Sequence, residues 1–166
     1  MTFEQFKTNV EAWQEERGIY AHSTPLAQAL KAVSEVGELA DSVIKGDRDA
    51  LKDAIGDVMA CLVGVCKMSS FCIEFMNPGA AEAHFSQHQV ASIIAGCVTD
   101  ICAIASNGEH PSMLIDPACD AMYWMDTLAM RSGLTLLECC ESAWNEIKDR
   151  TGKMVAGGAF VKDGDV

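Results

Sequence analysis

Two pairs of carboxylates stand at helical spacing within the first sixty residues. Glu35 and Glu38 are three apart in "SEVGELAD", and Asp53 and Asp57 are four apart in "DAIGDVM". Residues three or four apart share one face of a helix, so each pair presents two acids in one direction. If the two helices pack antiparallel through the short turn at Gly46, the four carboxylates converge. An all-oxygen cluster of that kind suits a hard divalent cation, Mg²⁺ or Mn²⁺. Asp57 carries the argument: its neighbours up to Cys66 are apolar or glycine, and no Lys or Arg lies one turn away on its helix. An unpaired carboxylate is costly to bury, so a partner must come from elsewhere. The plainer alternative makes Glu35, Glu38 and Asp53 a solvated helix face. Asp41, three residues after Glu38, falls closer to the apolar side of the same helix.

Other chemistries find less support. A di-iron bundle needs Glu-x-x-His pairs, and the sequence has none. His84 and His88 are four apart but lack the intervening glutamate of a zincin, so both are expected at the surface. Eight cysteines contain no C-x-x-C; Cys61, Cys66, Cys97 and Cys102 sit in apolar helical patterns and Cys139 and Cys140 fall on opposite sides of a helix. All eight are expected to be reduced and to pack as small hydrophobes. The net charge of −12 argues against binding a nucleic-acid duplex, which needs a basic surface. An acidic protein that handles a polyanion does so through a cation or a local basic cluster. "AWNEIKDRTGK" supplies one, with Lys148, Arg150 and Lys153 within six residues and Asn145 beside them. The same residues near a helix end also offset its dipole. Lys31 and Gln28 share the polar face of Glu35. Trp13 either stacks on a base or continues the core stripe of Phe6 and Val10; Trp124 and Trp144 read as core.

The elements that must position these residues are helices. Phe3, Phe6, Val10 and Trp13 repeat at helical spacing up to Gly18. Ser23 or Thr24 caps a second helix with Pro25 in its first turn; Leu26, Leu30, Val33, Gly37, Ala40 and Ile44 form its apolar stripe, and Gly46 ends it. A third helix starts at Asp47 or Asp49 and runs to about Phe71; a breaker follows in "MNPGAAEAH". Further helices are expected near 87–105, 117–131 and 136–150, and the tail around Gly157-Gly158 suits a short β-hairpin. The whole, residues 1–166, reads as one all-α bundle of about five to six helices. "DAIGDVM" echoes "DPACDAM", which fits either a degenerate duplication of 26–70 in 87–131 or a chance likeness of two helices of similar composition. So much apolar surface is expected either to dimerise or to fold on that duplicated half. No apolar run approaches the ~20 residues of a membrane span. The start, "MTFEQFKTNVEAWQEERG", lacks the basic and apolar parts of a signal peptide. A cytoplasmic setting is expected, the host's if the protein is phage-encoded, with no membrane partner.

"PLAQALKAVSEVGELADSVIKGD…LKDAIGDVM" resembles the MazG-like branch of the all-α nucleoside triphosphate pyrophosphohydrolases. The end, "ECCESAWNEIKDRTGKMVAGGAFVKDGD", is similar to the C-terminal segment of MazG-like proteins of phages. The family pattern is E-E-x-x-E, a spacer, then E-x-x-D. Ser34 stands for the first glutamate and Ala54 for the glutamate of the second motif; Asp53 is the neighbouring acid that could substitute. The resemblance implies Mg²⁺-dependent hydrolysis of nucleoside triphosphates, with deoxy ones favoured, to monophosphate and pyrophosphate. It implies Glu35, Glu38, Asp53 and Asp57 as metal ligands, with Glu35 or Glu38 as the catalytic base. Phosphate or base contacts fall to Lys31, Asn145, Lys148, Arg150, Lys153, Trp13 and Gln28. The departures at Ser34 and Ala54 leave open a catalytically inactive nucleotide-binding or regulatory module, and a structural helical protein is the third class.

Overall fold

The computed structural model describes residues 1–74 and 84–164. Among these, seven α-helices and one two-stranded hairpin occur: α1 Phe3–Glu16, α2 Ile19–His22, α3 Pro25–Lys45, α4 Arg48–Met68, α5 Gln87–Asn107, α6 Ile115–Arg131, α7 Leu136–Ile147, β1 Gly152–Met154 and β2 Phe160–Lys162. The all-α expectation holds, as does the hairpin. The single turn α2 and a 3₁₀ turn at Pro111–Leu114 were not foreseen. The breaker expected over 76–84 lies, apart from His84, outside the described residues.

Helix ends follow local chemistry. Thr24, not Ser23, caps α3 by accepting from the Ala27 N–H, with Pro25 in the first turn. Gly46 then turns the chain with φ 67°, a left-handed conformation that costs glycine little, and Asp47 caps α4 through Ala50. Helices α3 and α4 thereby form a hairpin. Helix α3 also packs on α5, α5 on α6, and α4 on α7, with α1 laid against α4 and α7. The two segments expected to echo each other thus each form a helix pair, and the pairs meet through α3 and α5. Arg48 at the start of α4 donates to the carbonyls of Ser132 and Gly133 (2.9 and 2.7 Å), fastening α4 to the end of α6.

The α1 stripe is as expected: Phe3, Phe6, Val10 and Trp13 are buried. The α3 stripe is not. Leu30, Val33 and Ile44 are 56, 41 and 71% exposed, while Ala29, Ala32, Val36, Leu39 and Val43 make the inner face. The helix is apolar on two faces, and packing chose the one whose polar flank, Gln28, Glu35 and Ser42, also turns inward. Cys139 and Cys140, expected on opposite sides of a helix, are both fully buried because α7 is covered by α4, α1 and α6. All eight cysteines are free, and Cys72 is exposed. Trp124 and Trp144 pack half-buried against the core, and His84 and His88 are exposed as expected. One helix, α5, bears on the membrane expectation. By length and composition alone it is apolar enough to cross a bilayer, with a mean hydropathy of 1.6, although here Val90, Ile94, Val98 and Ile101 pack into the core.

Gly56 marks a close approach between α4 and α7. A Cβ there would sit 2.3 Å from the Cys139 carbonyl and 2.6 Å from the Ala143 methyl, so α7 rests directly on the α4 backbone. Gly56→Ala is therefore expected to destabilise the protein by about 1–3 kcal/mol through overpacking, read from urea melts. Ile44→Glu, on the outward stripe, is expected to change stability by no more than ~0.5 kcal/mol. A loss comparable to the ~2–5 kcal/mol of a core Leu39→Ala would show that this stripe is covered.

Candidate active site

The hairpin of α3 and α4 carries the acids, and Asp57 sits where two recesses meet. One is a pocket of about 120 Å³ whose wall includes Trp13, Gln28, Lys31, Glu35, Arg150 and Asp57. The other is an open cleft of about 640 Å³ whose wall includes Glu38, Asp53, Asp57 and Glu146. The sequence-predicted acids are thus distributed: Glu35 on the pocket, Glu38 and Asp53 on the cleft, Asp57 on both. Among the described residues no three His, Cys, Asp or Glu side chains come close enough together to hold a metal ion. The acids are neighbours, and their side chains are engaged separately.

Each has a different state. Glu35 is buried and paired with Lys31, one turn earlier. Burial pulls the Lys31 ammonium down, but the hydrogen bond and charge of Glu35 outweigh it and leave its pKa raised. Asp53 accepts from the Ser142 hydroxyl of α7 at 2.8 Å. Glu38 is exposed. The Asp57 carboxyl is pushed up to about 7. Burial is the main cause; the charges of Glu35, Glu146 and Asp53 add to it, and Arg150 partly offsets them. Arg150 itself pairs with Glu146, not with Asp57. Every group these acids offer is a hard oxygen, the kind a divalent ion takes, although the side chains are not gathered on one point.

The pocket is built from three parts of the chain. Its aromatic wall is Trp13, which meets Phe160 of β2 in a T-shaped contact at 5.4 Å. The Arg17 guanidinium lies 4.9 Å from the Trp13 ring centre. Arg17 also donates to the Arg150 carbonyl (3.0 and 3.3 Å), which holds the chain after α7 against the end of α1 and brings the hairpin over the pocket. Gln14 braces the floor: its Nε2 donates to the Ala60 carbonyl at 3.1 Å and its Oε1 accepts from the Tyr20 hydroxyl at 2.7 Å. Gln28 donates to the Ser23 hydroxyl at 2.9 Å. Gln14, Tyr20, Glu146 and Phe160 were missed by sequence reasoning; the i, i+4 spacing of Glu146 and Arg150 was the one local signal available.

Of the expected basic cluster only Arg150 reaches the pocket. Asn145, Lys148 and Lys153 line neither recess: helix α7 stops at Ile147, three residues short of expectation, Lys148 turns back to the Asn145 amide oxygen at 3.0 Å, and Lys153 lies exposed in β1. Trp13 is both core and pocket wall, so the two readings of it are not exclusive.

Comparison with known proteins shows what the hairpin is similar to. Residues 23–77 match the family model described as MazG nucleotide pyrophosphohydrolase domain. The MazG resemblance therefore holds, and the matched segment contains the whole α3–α4 hairpin with its four acids. The chain is also 28% identical over 157 residues to an uncharacterized 18.2 kDa protein in the rep-hol intergenic region of Haemophilus phage HP1, covering 84% of this chain and 96% of that protein. No solved structure matches it significantly.

The raised Asp57 carboxyl has a consequence for stability. The fold binds its proton up to about pH 7, whereas the unfolded group ionises near 3.8. That contribution is complete below the unfolded value and is lost as pH rises through 7. In EDTA at pH 8, Asp57→Asn is expected to melt above the wild type, with the gap closing towards pH 4. A lower melting temperature for the variant at pH 8 would mean that the Asp57 carboxylate has a stabilising protein partner, with Arg150 the first suspect.

Proposed function

We propose that the protein hydrolyses nucleoside triphosphates, deoxynucleotides among them, to the monophosphate and pyrophosphate in a divalent-cation-dependent reaction. The observation that carries this reading is the position of Asp57 as common wall of an apolar, aromatic-ended pocket and an acid-lined cleft. A nucleotide has the same two-part character: the base enters the Trp13 pocket and the phosphates extend past Asp57. Glu35, Glu38, Asp53 and Asp57 would hold Mg²⁺ or Mn²⁺. Such an ion, when bound, neutralises charge on phosphoryl oxygens and acidifies water.

The chain's own residues divide the remaining work. Glu38 has no hydrogen bond or ion pair among the described residues, so it is free to take a proton from the attacking water. Glu35 is held by Lys31 and is better suited to ligation than to proton transfer. Arg150, at the pocket wall, can exchange Glu146 for a phosphate, where its guanidinium makes two parallel hydrogen bonds.

Ser34 and Ala54 both line the cleft where the family pattern has glutamates, and this favours a second reading: a nucleotide-binding module without turnover. Pyrophosphate release from a panel of NTPs and dNTPs, with Mg²⁺ and with EDTA, separates the two. The enzyme reading requires cation-dependent release; a rise in melting temperature with nucleotide and Mg²⁺ but no pyrophosphate identifies the binding module.

Two variants test the assigned roles. Glu38→Gln is expected to lower kcat by at least about a hundredfold, the scale of general acid–base catalysis, with the melting temperature unchanged. A loss under about tenfold, ~1.4 kcal/mol of barrier, removes Glu38 from the chemistry. Arg150→Ala is expected to weaken triphosphate binding more than nucleoside binding in calorimetric titrations, and equal losses would make Arg150 a structural residue.

A further inference from the structure

The four acids stand apart because one of them is drawn to the other recess. Glu38 and Asp53 line the cleft and Asp57 lines both recesses, whereas Glu35 lines only the pocket. Lys31, its ion-pair partner one turn earlier on α3, also lines the pocket and not the cleft. The basic side chain of the cleft, Lys45, pairs with Asp41 instead. Asp53 is engaged differently again, by a neutral hydroxyl from Ser142.

The Lys31–Glu35 pair is unequal. The Glu35 side chain is 7% exposed and that of Lys31 is 53% exposed. A buried carboxylate left without a counter-charge is costly, so Glu35 depends on the pair. Lys31 does not: its ammonium is a strongly hydrated point charge on a flexible stem, and water takes it back readily. Glu35 is therefore the fixed partner and Lys31 the exchangeable one. A divalent cation brings the same carboxylate more positive charge and a preference for oxygen. It shares Glu35 with Lys31 only against the repulsion of two cations at short range.

Resting on the cation-dependent reading above, we propose that Lys31 is a built-in competitor of the divalent cation at Glu35. In the resting chain the ammonium compensates Glu35 and holds it on the pocket side. Ligation by Glu35 opens the pair. The chain thus keeps a buried acid neutralised without metal, and its affinity for the cation is lowered by the pair that must open. Once released, Lys31 remains at the pocket wall with Arg150, where its charge faces an incoming anion.

The test is Mn²⁺ binding to the full chain without nucleotide at pH 8, read from the paramagnetic resonance signal of the free ion. Lys31→Gln is compared with Lys45→Gln, which removes one charge from the cleft itself without touching Glu35. Lys31→Gln is expected to bind Mn²⁺ at least about fivefold more tightly than the wild type, and Lys45→Gln no more than about twofold more tightly, the scale of an exposed pair. In a Glu35→Gln background the gain is expected to vanish, with Lys31→Gln changing affinity by less than about twofold. Lys31→Arg keeps the charge and pairs more firmly with a carboxylate, so it is expected to bind Mn²⁺ at least about twofold more weakly than the wild type. That variant decides the matter if Lys31→Gln fails to fold. Equal gains in the two glutamine variants reduce the effect to the general field of the cleft and overturn the proposal. A gain that survives in the Glu35→Gln background overturns it too, as does Lys31→Arg binding as tightly as the wild type. Each of these results leaves the cation-dependent reading standing. No Mn²⁺ binding by any of the proteins overturns that reading and this inference together.

Discussion

A carboxylate that burial and like charge both oppose is the constraint around which this bundle is arranged. Asp57 lies on α4, the most buried helix, and its carboxyl is raised to about 7. Keeping an ionisable group there costs stability near neutral pH. Its neighbours do little to relieve the cost: Lys31 is given to Glu35 and Arg150 to Glu146. Other features follow from holding it in place. Gly56, the preceding residue, lets α7 rest on the α4 backbone, which brings Glu146 and Arg150 to the site. Arg17 then grips the Arg150 carbonyl and folds the C-terminal hairpin over the Trp13 pocket. A perturbed carboxyl at the meeting of two recesses is what functional sites tend to contain.

Much of this was legible in the sequence where the signal is local. Caps at Thr24 and Asp47, the left-handed Gly46, the acid pairs and the Phe3–Trp13 stripe depend on residues within one or two turns of each other. The hairpin around Gly157-Gly158 is local as well. Apart from the short turns at Ile19–His22 and Pro111–Leu114 and the early end of α7, the failures are long-range. Helix α3 carries two apolar stripes, and periodicity cannot say which faces in. What decides is that Ala29 and Ala32 are small enough for α4 and α5 to approach, and that turning them inward also turns Gln28 and Glu35 to the site. The larger stripe, Leu30 and Ile44, is left outside as a consequence. Similarly, nothing near Trp13 in sequence announces Phe160, and nothing near Asp53 announces Ser142. Three charges close in sequence need not share a surface once the helix ends, and of these only Arg150 lines the pocket.

Charge separates the two recesses. The pocket holds two cations, Lys31 and Arg150, beside Glu35 and Asp57, and is close to balanced. The cleft has six carboxylates, those of Glu38, Asp41, Asp47, Asp53, Asp57 and Glu146, against Lys45 alone. A triphosphate entering the cleft by itself would meet a field of its own sign, in a chain whose net charge is already −12. Two basic side chains, both already paired, cannot reverse that. This imbalance is the physical ground for the cation in the proposed reaction: the protein supplies surplus carboxylates, the substrate supplies phosphates, and each needs the same counter-charge. It also explains why Asp53 remains informative despite Ala54 beside it. Asp53 adds its charge to the cleft beside Ala54, and the Ser142 hydroxyl from α7 fixes the direction in which its carboxylate points.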